Sequence, residues 1–261
     1  MDAARERRGS RRRGAREEAR GNVGREGQDV GGVPSPNGGE LDPTRQAAVQ
    51  VVERLKETIL ALEMEPGTVI NRQALQDAFG LSSTPVRDAL MKLGEEGLVD
   101  IFPQSATRVS LIDVAKARQA QFLRRAIEQE VVRTLAAAED KGVLGDLERL
   151  IELQRVAAEQ DDVERFDALD REFHNSLIEA AGVPDLFWLI RQRSGHIDRI
   201  RRLNLPVPGK MQQVLRDHDL IVKAIAAGDA EKAPARMREH LSRSLAYSPS
   251  LRKKHPTFFK D

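Results

Sequence analysis

The sequence predicts a mainly α protein: a winged helix-turn-helix of three helices and a β-hairpin wing, then an all-α antiparallel bundle of about six helices. Three observations predict it. Residues 67–109, GTVINRQALQDAFGLSSTPVRDALMKLGEEGLVDIFPQSATRV, read as two short helices joined by a tight turn and followed by a two-stranded hairpin. From Leu111 onward apolar residues recur at helical spacing and no segment has strand composition. Charged residues are 32% and aromatics 4%, which suits charged-faced helices rather than a β-rich core.

The elements follow in order. Residues 1–43 hold almost no large apolar side chains and are expected to form a disordered basic tail, because such a segment cannot offset its ordering entropy by burial. Its arginines, Arg5 to Arg13, could add nonspecific phosphate attraction, or the tail could have no role. Order is expected from Thr44. Ala48, Val51, Val52, Leu55, Ile59 and Leu62 predict a helix of about five turns ended by Pro66-Gly67. Ala74, Leu75, Ala78 and Phe79 give the buried face of a short helix that Gly80 stops. Ser82, Ser83 and Thr84 are candidate N-caps for the next, and Pro85 fits its first turn. Val86, Ala89, Leu90 and Leu93 are its apolar stripe, and Gly94 and Gly97 end it. Residues 98–102 and 107–110 are the hairpin strands, with Pro103 to Ala106 at the tip.

A winged helix-turn-helix of this order puts its second short helix into the major groove of DNA. Residues 44–110 are therefore expected to be a DNA-binding domain. Their acids outnumber their bases, so composition shows no basic footprint, and the module could be a structural piece only. The DNA reading rests on position: Arg72, Arg87, Lys92 and Arg108 can lie on one side, while Glu53, Glu57 and Glu63 fall on the preceding helix.

The run SSTPVRDALMKLGEEGLV resembles the winged helix of the GntR superfamily of bacterial transcription regulators, whose recognition helix commonly reads S-R-T-P-V-R-E-A-L-x-x-L-x-x-E-G-L-V. Ser82, Thr84, Pro85, Val86, Arg87, Ala89, Leu90, Leu93, Glu96, Gly97, Leu98 and Val99 match. Ser83 stands where the family usually has an Arg that reaches bases or phosphate, and Ala106 where the wing usually has Gly. A lost bidentate Arg–guanine contact removes roughly 1–3 kcal/mol of discrimination, so the operator is expected to differ from the family's commonest. Thr84 and Arg87 lead the expected DNA contacts, with Ser82, Ser83, Arg72, Gln73 and the wing residues Gln104 and Arg108 behind them.

After Ser110 the pattern becomes long helices: 111–138, 144–160, 163–181, 185–204, 211–227 and 230–247, with Pro234 just inside the last, about a turn after its cap Asp229, where it could bend the helix. Residues 111–247 are expected to form one bundle, and 248–261 a loosely attached tail. Four of the five histidines fall in these helices. His218 stands in the stripe of Met211, Val214, Leu215, Ile221, Val222 and Ile225; Asp170 and His174 share one helix face; His240 neighbours Met237 and Leu241; His196 neighbours Ile197 and Ile200. A single inward histidine is usually a satisfied core residue, but several converging in one bundle can use their nitrogens on a metal. An Asp and three His suit Zn²⁺, Ni²⁺, Mn²⁺ or Fe²⁺.

This half resembles the effector domain of the FadR-type branch of the same superfamily, the FCD domain. The shared marks are Leu123-Arg124-Arg125-Ala126-Ile127-Glu128, Asp170-Arg171-Glu172-Phe173-His174, and the later pair His218 and His240. The resemblance implies that Asp170, His174, His218 and His240 bind a divalent metal at the floor of an effector pocket. It also implies that Arg124 faces that pocket toward a carboxylate, unless it only pairs with a residue such as Glu128. His196 lies outside the implied ligand set and is placed on the pocket wall or as a spare core histidine.

The expected function is a non-enzymatic transcription regulator, a repressor, acting as a homodimer on a palindromic operator and answering to a small organic acid. Two alternatives stand beside it: an all-α metal-dependent hydrolase with an activated water, and a dimeric DNA-binding protein with a vestigial pocket. The absence of cysteine excludes disulfides and thiolate catalysis. No apolar run is long enough to span a bilayer and no apolar stretch follows the basic N-terminus, so a cytoplasmic protein without a membrane partner is expected.

Overall fold

A computed structural model describes residues 41–261; the predicted basic tail, but for its last three residues, lies outside them. The first unit is three helices and a wing: α1 (Ala47–Leu60), α2 (Arg72–Phe79), α3 (Ser83–Glu95), β1 (Val99–Ile101) and β2 (Thr107–Val109). Its core joins Val51, Leu55 and Ile59 of α1 to Leu75 and Phe79 of α2, Val86, Leu90 and Leu93 of α3, and Val99 and Val109 of the hairpin. Each fully buried side chain of this size contributes about 1.5–3 kcal/mol. The strands pair antiparallel, Val99 with Val109 and Ile101 with Thr107, and Val69 adds an isolated bridge to Arg108.

Local chemistry sets these boundaries. Asn71 caps α2 by accepting from the Ala74 N–H, and Gly80 ends it in the left-handed region. α1 stops earlier than predicted: Leu62 takes φ 63, which turns the chain so that Met64 and Ile70 reach the core. Apolar spacing alone carried the prediction too far, since Leu62 follows the stripe without being helical.

The second unit is helical: α4 (Val114–Ala137), α5 (Val143–Glu159), α6 (Val163–Ala180), α7 (Asp185–Arg193), α8 (Gly195–Asn204), α9 (Lys210–Ala226) and α10 (Lys232–Ser242), then α11 (Ser248–Lys254) between two short 3₁₀ turns. Asp113 caps α4 through the Ala115 and Lys116 N–H groups, and Asp162 caps α6 through Arg165. Pro234 falls in the first turn of α10, where no helical N–H is lost, so it bends nothing. The bundle core is built on Phe166, Phe173, Leu177, Ile221, Ile225 and Met237.

Two expectations are corrected here. Residues 185–204 are two helices, broken at Ser194. A Cβ on Gly195 would stand 2.5 Å from Leu98 Cδ2, so the backbone at the break presses directly on the winged unit, an approach that only glycine permits. The C-terminal segment is not loose. Phe259 bridges Ile112 as a parallel strand residue, with Ile112 N–H donating to Phe258 O (2.8 Å) and Lys260 N–H to Ile112 O (3.0 Å). Phe259 and Leu251 are buried with Ile112, Ala117, Ile197 and Ile200 in a small core at the junction of the two units. Three large apolar residues, Leu251, Phe258 and Phe259, in a polar tail read as surface by composition; their partner, Ile112, is far away in sequence.

Candidate metal centre and nucleic-acid interface

Asp170 and His174 stand one turn apart on α6, His218 in the middle of α9 and His240 on α10. One ligating atom of each lies within 4.8 Å of the others. His240 Nε2 is 3.3 Å from His174 Nε2, and His218 Nε2 is 3.6 Å from Asp170 Oδ1. The opposite nitrogen of each imidazole faces a different acceptor. His174 Nδ1 is 2.6 Å from Glu128 Oε2, His218 Nδ1 is 2.9 Å from Gln154 Oε1, and His240 Nδ1 is 3.6 Å from Asp217 Oδ2. An Nδ1–H held outward leaves the Nε2 lone pair pointing inward, the arrangement that orients imidazole toward a metal.

Facing lone pairs and a carboxylate in a dry core are unfavourable without a cation between them. Among the described residues Asp170 Oδ1 and His218 Nε2 are buried with no hydrogen-bond partner, an orphaning that a metal would relieve. Burial pushes His218 well below its usual pKa. It lowers His240 as well, by more than Asp217 raises it, so both are neutral near pH 7 and able to ligate. Burial would raise the Asp170 carboxyl, but the Arg201 guanidinium bonded to it holds it far below the ordinary carboxylate range. Burial would also raise Glu128, yet Arg124 and His174 hold it down to about 2. The donor set fits a divalent metal.

Beside His174 a small cavity of about 20 Å³ opens, bordered by Arg124, Glu128, Arg171, Arg191 and Arg201 and floored by apolar side chains such as Phe187 and Ile190. Arg124 faces it, and it pairs within its own helix with Glu128 at 2.7 Å. The other guanidiniums also have acids: Arg191 with Asp198 at 2.7 Å, Arg171 with Asp167, and Arg201 with Asp170. Sequence reasoning had found neither Arg201 nor the outward acceptors Gln154 and Asp217. Gln154 did leave a signal, a polar residue inside the buried stripe of Leu147, Leu150, Ile151 and Ala158.

Of the two placements expected for His196, the pocket wall is excluded and a buried position away from the pocket is observed. His196 borders neither the cavity nor the cluster. Its Nδ1 accepts from the Asp113 N–H (3.1 Å) and lies 3.1 Å from Arg199 Nη2, between the bundle and the linker from the wing. It starts α8, and the break at Ser194 turns that start toward the winged unit. Burial, then Arg199 and Lys116, hold its pKa down to about 3. The unfolded value, about 6.5, is higher, so the unfolded state binds more protons between these limits. Its contribution is therefore complete above pH 6.5 and is lost as pH falls toward 3. Urea melts at pH 7.5 and 5.5 are expected to show a loss about 1.4 kcal/mol smaller for His196→Gln than for the parent chain. Equal slopes would show that His196 does not carry the acid sensitivity.

At the other end of the chain, α3 turns Ser83, Thr84, Arg87, Asp88, Met91 and Lys92 to solvent, opposite its buried stripe. Ser82 is the N-cap residue but its hydroxyl makes no capping bond. Arg87 is exposed and, among the described residues, pairs only with Asp88, at 3.6 Å. Arg72 donates to Thr107 Oγ1 (2.8 Å) and so ties α2 to the wing; Gln73 donates to Asp77 (2.9 Å). Arg108 is exposed and donates to Gly67 O at 3.3 Å. At the wing tip the left-handed residue is Gln104 (φ 57), so Ala106 needs no glycine geometry.

Residues 47–109 match the family of bacterial regulatory proteins, gntR family, and residues 119–243 match the FCD domain. A regulator of Streptomyces ambofaciens, described as an uncharacterized HTH-type transcriptional regulator in an unstable DNA locus, is 35% identical over 205 residues, covering 76% of this chain and 86% of its own. This chain belongs to the GntR family. It is a DNA-binding transcriptional regulator with an FCD effector-binding domain. The transcriptional repressor RspR of Escherichia coli K12 is 28% identical over 222 residues, 85% of this chain and 97% of that one. The E. coli McbR/YncC structure shares the fold, with a TM-score of 0.68 at 21% identity over 79% of this chain and 99% of that one. These names point to transcriptional regulation rather than to a metal-dependent hydrolase. FCD domains often bind metals, and this one carries a His/Asp cluster of suitable composition. No described helix is long and apolar enough to cross a membrane.

Proposed function

We propose that this regulator is a homodimeric repressor whose grip on a palindromic operator changes when a small organic acid binds beside a divalent metal held by Asp170, His174, His218 and His240. One observation carries the reading: three imidazoles directed outward by Glu128, Gln154 and Asp217, leaving their inward nitrogens and an orphaned carboxylate oxygen around a common point. That chemistry suits Zn²⁺, Ni²⁺, Mn²⁺ or Fe²⁺. The metal would supply a Lewis-acidic anchor for a carboxylate, and Arg124 a second one. Residues 44–110 would be the DNA-binding domain and 111–247 the effector and dimerisation domain, with 248–261 packed onto their junction. Exposed Phe122 of α4 and Trp188 and Leu189 of α7 offer an apolar surface for the second protomer.

Ser82, Ser83, Thr84 and Arg87 would meet DNA from α3, Arg72 and Gln73 from α2, and Gln104 and Arg108 from the wing. Arg87→Ala is expected to weaken operator binding by roughly 1–3 kcal/mol, about 5- to 150-fold, with the fold unchanged. Gel shifts on the DNA upstream of the chain's own gene, with and without metal and candidate acids, test the whole reading. A shift that neither metal nor any acid alters would leave a DNA-binding dimer with an idle pocket and defeat the proposal.

A further inference from the structure

The linker between the winged unit and the bundle is short: β2 ends at Val109 and α4 begins at Val114. Two separate elements hold its main chain. Helix α8 takes Ser110 O through Arg199 Nη1 (2.6 Å) and the Asp113 N–H through His196 Nδ1 (3.1 Å). The C-terminal segment takes both main-chain groups of Ile112: its N–H donates to Phe258 O (2.8 Å), and the Lys260 N–H donates to its carbonyl (3.0 Å). Ile112 is fully buried, so both groups need partners, and among the described residues this segment supplies them.

Side chains close the contact. Phe259 and Leu251 of the segment are buried with Ile112, with Ala117 and Ala120 of α4, and with Ile197 and Ile200 of α8. Phe258 packs against the same cluster, and the His255 ring stacks on it with centroids 5.3 Å apart. Lys260 Nζ reaches Asp113 Oδ2, at the N-cap of α4, at 3.8 Å. The segment therefore grips linker main chain, the place where a few changes in φ and ψ would swing the winged unit on the bundle.

We propose that residues 248–261 are an intramolecular clamp on this hinge, which fixes the winged unit at one setting on the bundle and so restricts the operator half-site spacing that the regulator accepts. In a dimer each winged unit must reach its own half-site. One added base pair moves a half-site by roughly 3.4 Å along the duplex and about 35° around it. A free hinge absorbs such a step; a clamped hinge turns it into lost contacts. The spacing part of the proposal rests on the homodimer reading above, and the grip on the hinge does not.

The test pairs hydrogen exchange with a series of respaced duplexes. Phe259→Ala removes the buried ring. Lys260→Pro removes the N–H donated to Ile112, and Phe259 already has the extended backbone that a following proline requires (φ −107, ψ 144). Lys260→Ala keeps that N–H. Exchange of the Ile112 amide is expected to quicken by at least about tenfold in the first two and to stay within about twofold in Lys260→Ala, while amides of α3 and α9 stay protected as in the parent. The duplex is the one the parent chain selects from random DNA, then lengthened or shortened by one base pair between its half-sites. The parent is expected to lose at least about tenfold in affinity at each change, and Phe259→Ala and Lys260→Pro less than about threefold. An Ile112 amide as protected in both variants as in the parent overturns the clamp. So does a loss on respaced duplexes that is the same in parent and variants. Sedimentation of the parent on its DNA separates the two readings: a monomer overturns the homodimer and the spacing claim with it, whereas a dimer that fails either measurement overturns the clamp alone.

Discussion

Replacing His218 by alanine is expected to strip the protein of bound metal and of any metal-induced rise in melting temperature. On the reading proposed here, His218 offers its Nε2 to the metal because Gln154 holds Nδ1 at 2.9 Å. Its ring also stacks on Phe173, with centroids 4.0 Å apart. The substitution therefore removes a ligand and leaves a gap, and orphans the Gln154 side chain, which costs the apo protein about 1–3 kcal/mol. The larger effect is on metal. A site saturated at a thousandfold over its Kd stabilises the fold by about 4 kcal/mol, and that increment disappears with the ligand. Mass spectrometry after purification should fall from about one metal per chain toward zero. Gln154→Leu is the subtler companion: the ligand remains but loses its orientation, and affinity should drop by roughly 10–100-fold. Undiminished metal in His218→Ala would remove the site assignment, while an apo protein that melts as predicted would show that the variant still folds.

The second large effect is expected at Arg199. This side chain is fully buried, yet no carboxylate pairs with it among the described residues. Its guanidinium donates to Ser110 O (2.6 Å), Ser110 Oγ (3.1 Å) and Gly195 O (3.1 Å). Ser110 Oγ in turn donates to Gly97 O (2.7 Å), in the turn between the recognition helix and the wing. Two residues further along α8, Arg201 holds Asp170. One short helix thus touches the candidate metal ligand on one side and the DNA-binding unit on the other. Burial draws Arg199 down to about 10, still charged at neutral pH. Arg199→Ala leaves the Ser110 carbonyl without this buried donor and opens a void, a loss of about 2–5 kcal/mol in urea melts. Arg199→Lys keeps the charge but not the fork, and should fold. It is expected to bind both DNA and acid while the acid no longer changes DNA affinity. Coupling is reciprocal, so operator DNA should then also cease to change acid affinity. A full acid response in Arg199→Lys would show that the signal takes another route.

Much of this protein is legible without coordinates because the informative patterns are local. The stripe of Val86, Ala89, Leu90 and Leu93, the Gly80 stop and the turn residues of the hairpin specify the recognition helix and wing within a few dozen residues. The pairing of Asp170 with His174 is likewise local, one helical turn apart, and His218 announces itself as a polar residue inside an apolar stripe. Where the reading failed, the deciding contact was distant. Helices α7 and α8 read as one because Gly195 is ordinary in a helix until Leu98 presses on it. For His196 the pocket wall and a core position were equally open, and the break at Ser194 decides between them by turning it toward Asp113. The tail looked loose because the bridge partner of Phe259, Ile112, lies far away in sequence.

From the sequence alone followed the two kinds of element, their order, the recognition helix and the pairing of Asp170 with His174, since period and turn chemistry are properties of neighbouring residues; the choice of His218 and His240 as their companions came from the resemblance to the FCD domain. Folding in three dimensions decided what those residues can do. It brought Gln154 to His218 and Glu128 to His174, set Arg201 against Asp170, and joined Arg199 to Ser110. The reason is physical: a side chain's pairing, and with it its charge and readiness to bind, depends on which helix faces meet, and that is settled by the packing of the whole bundle.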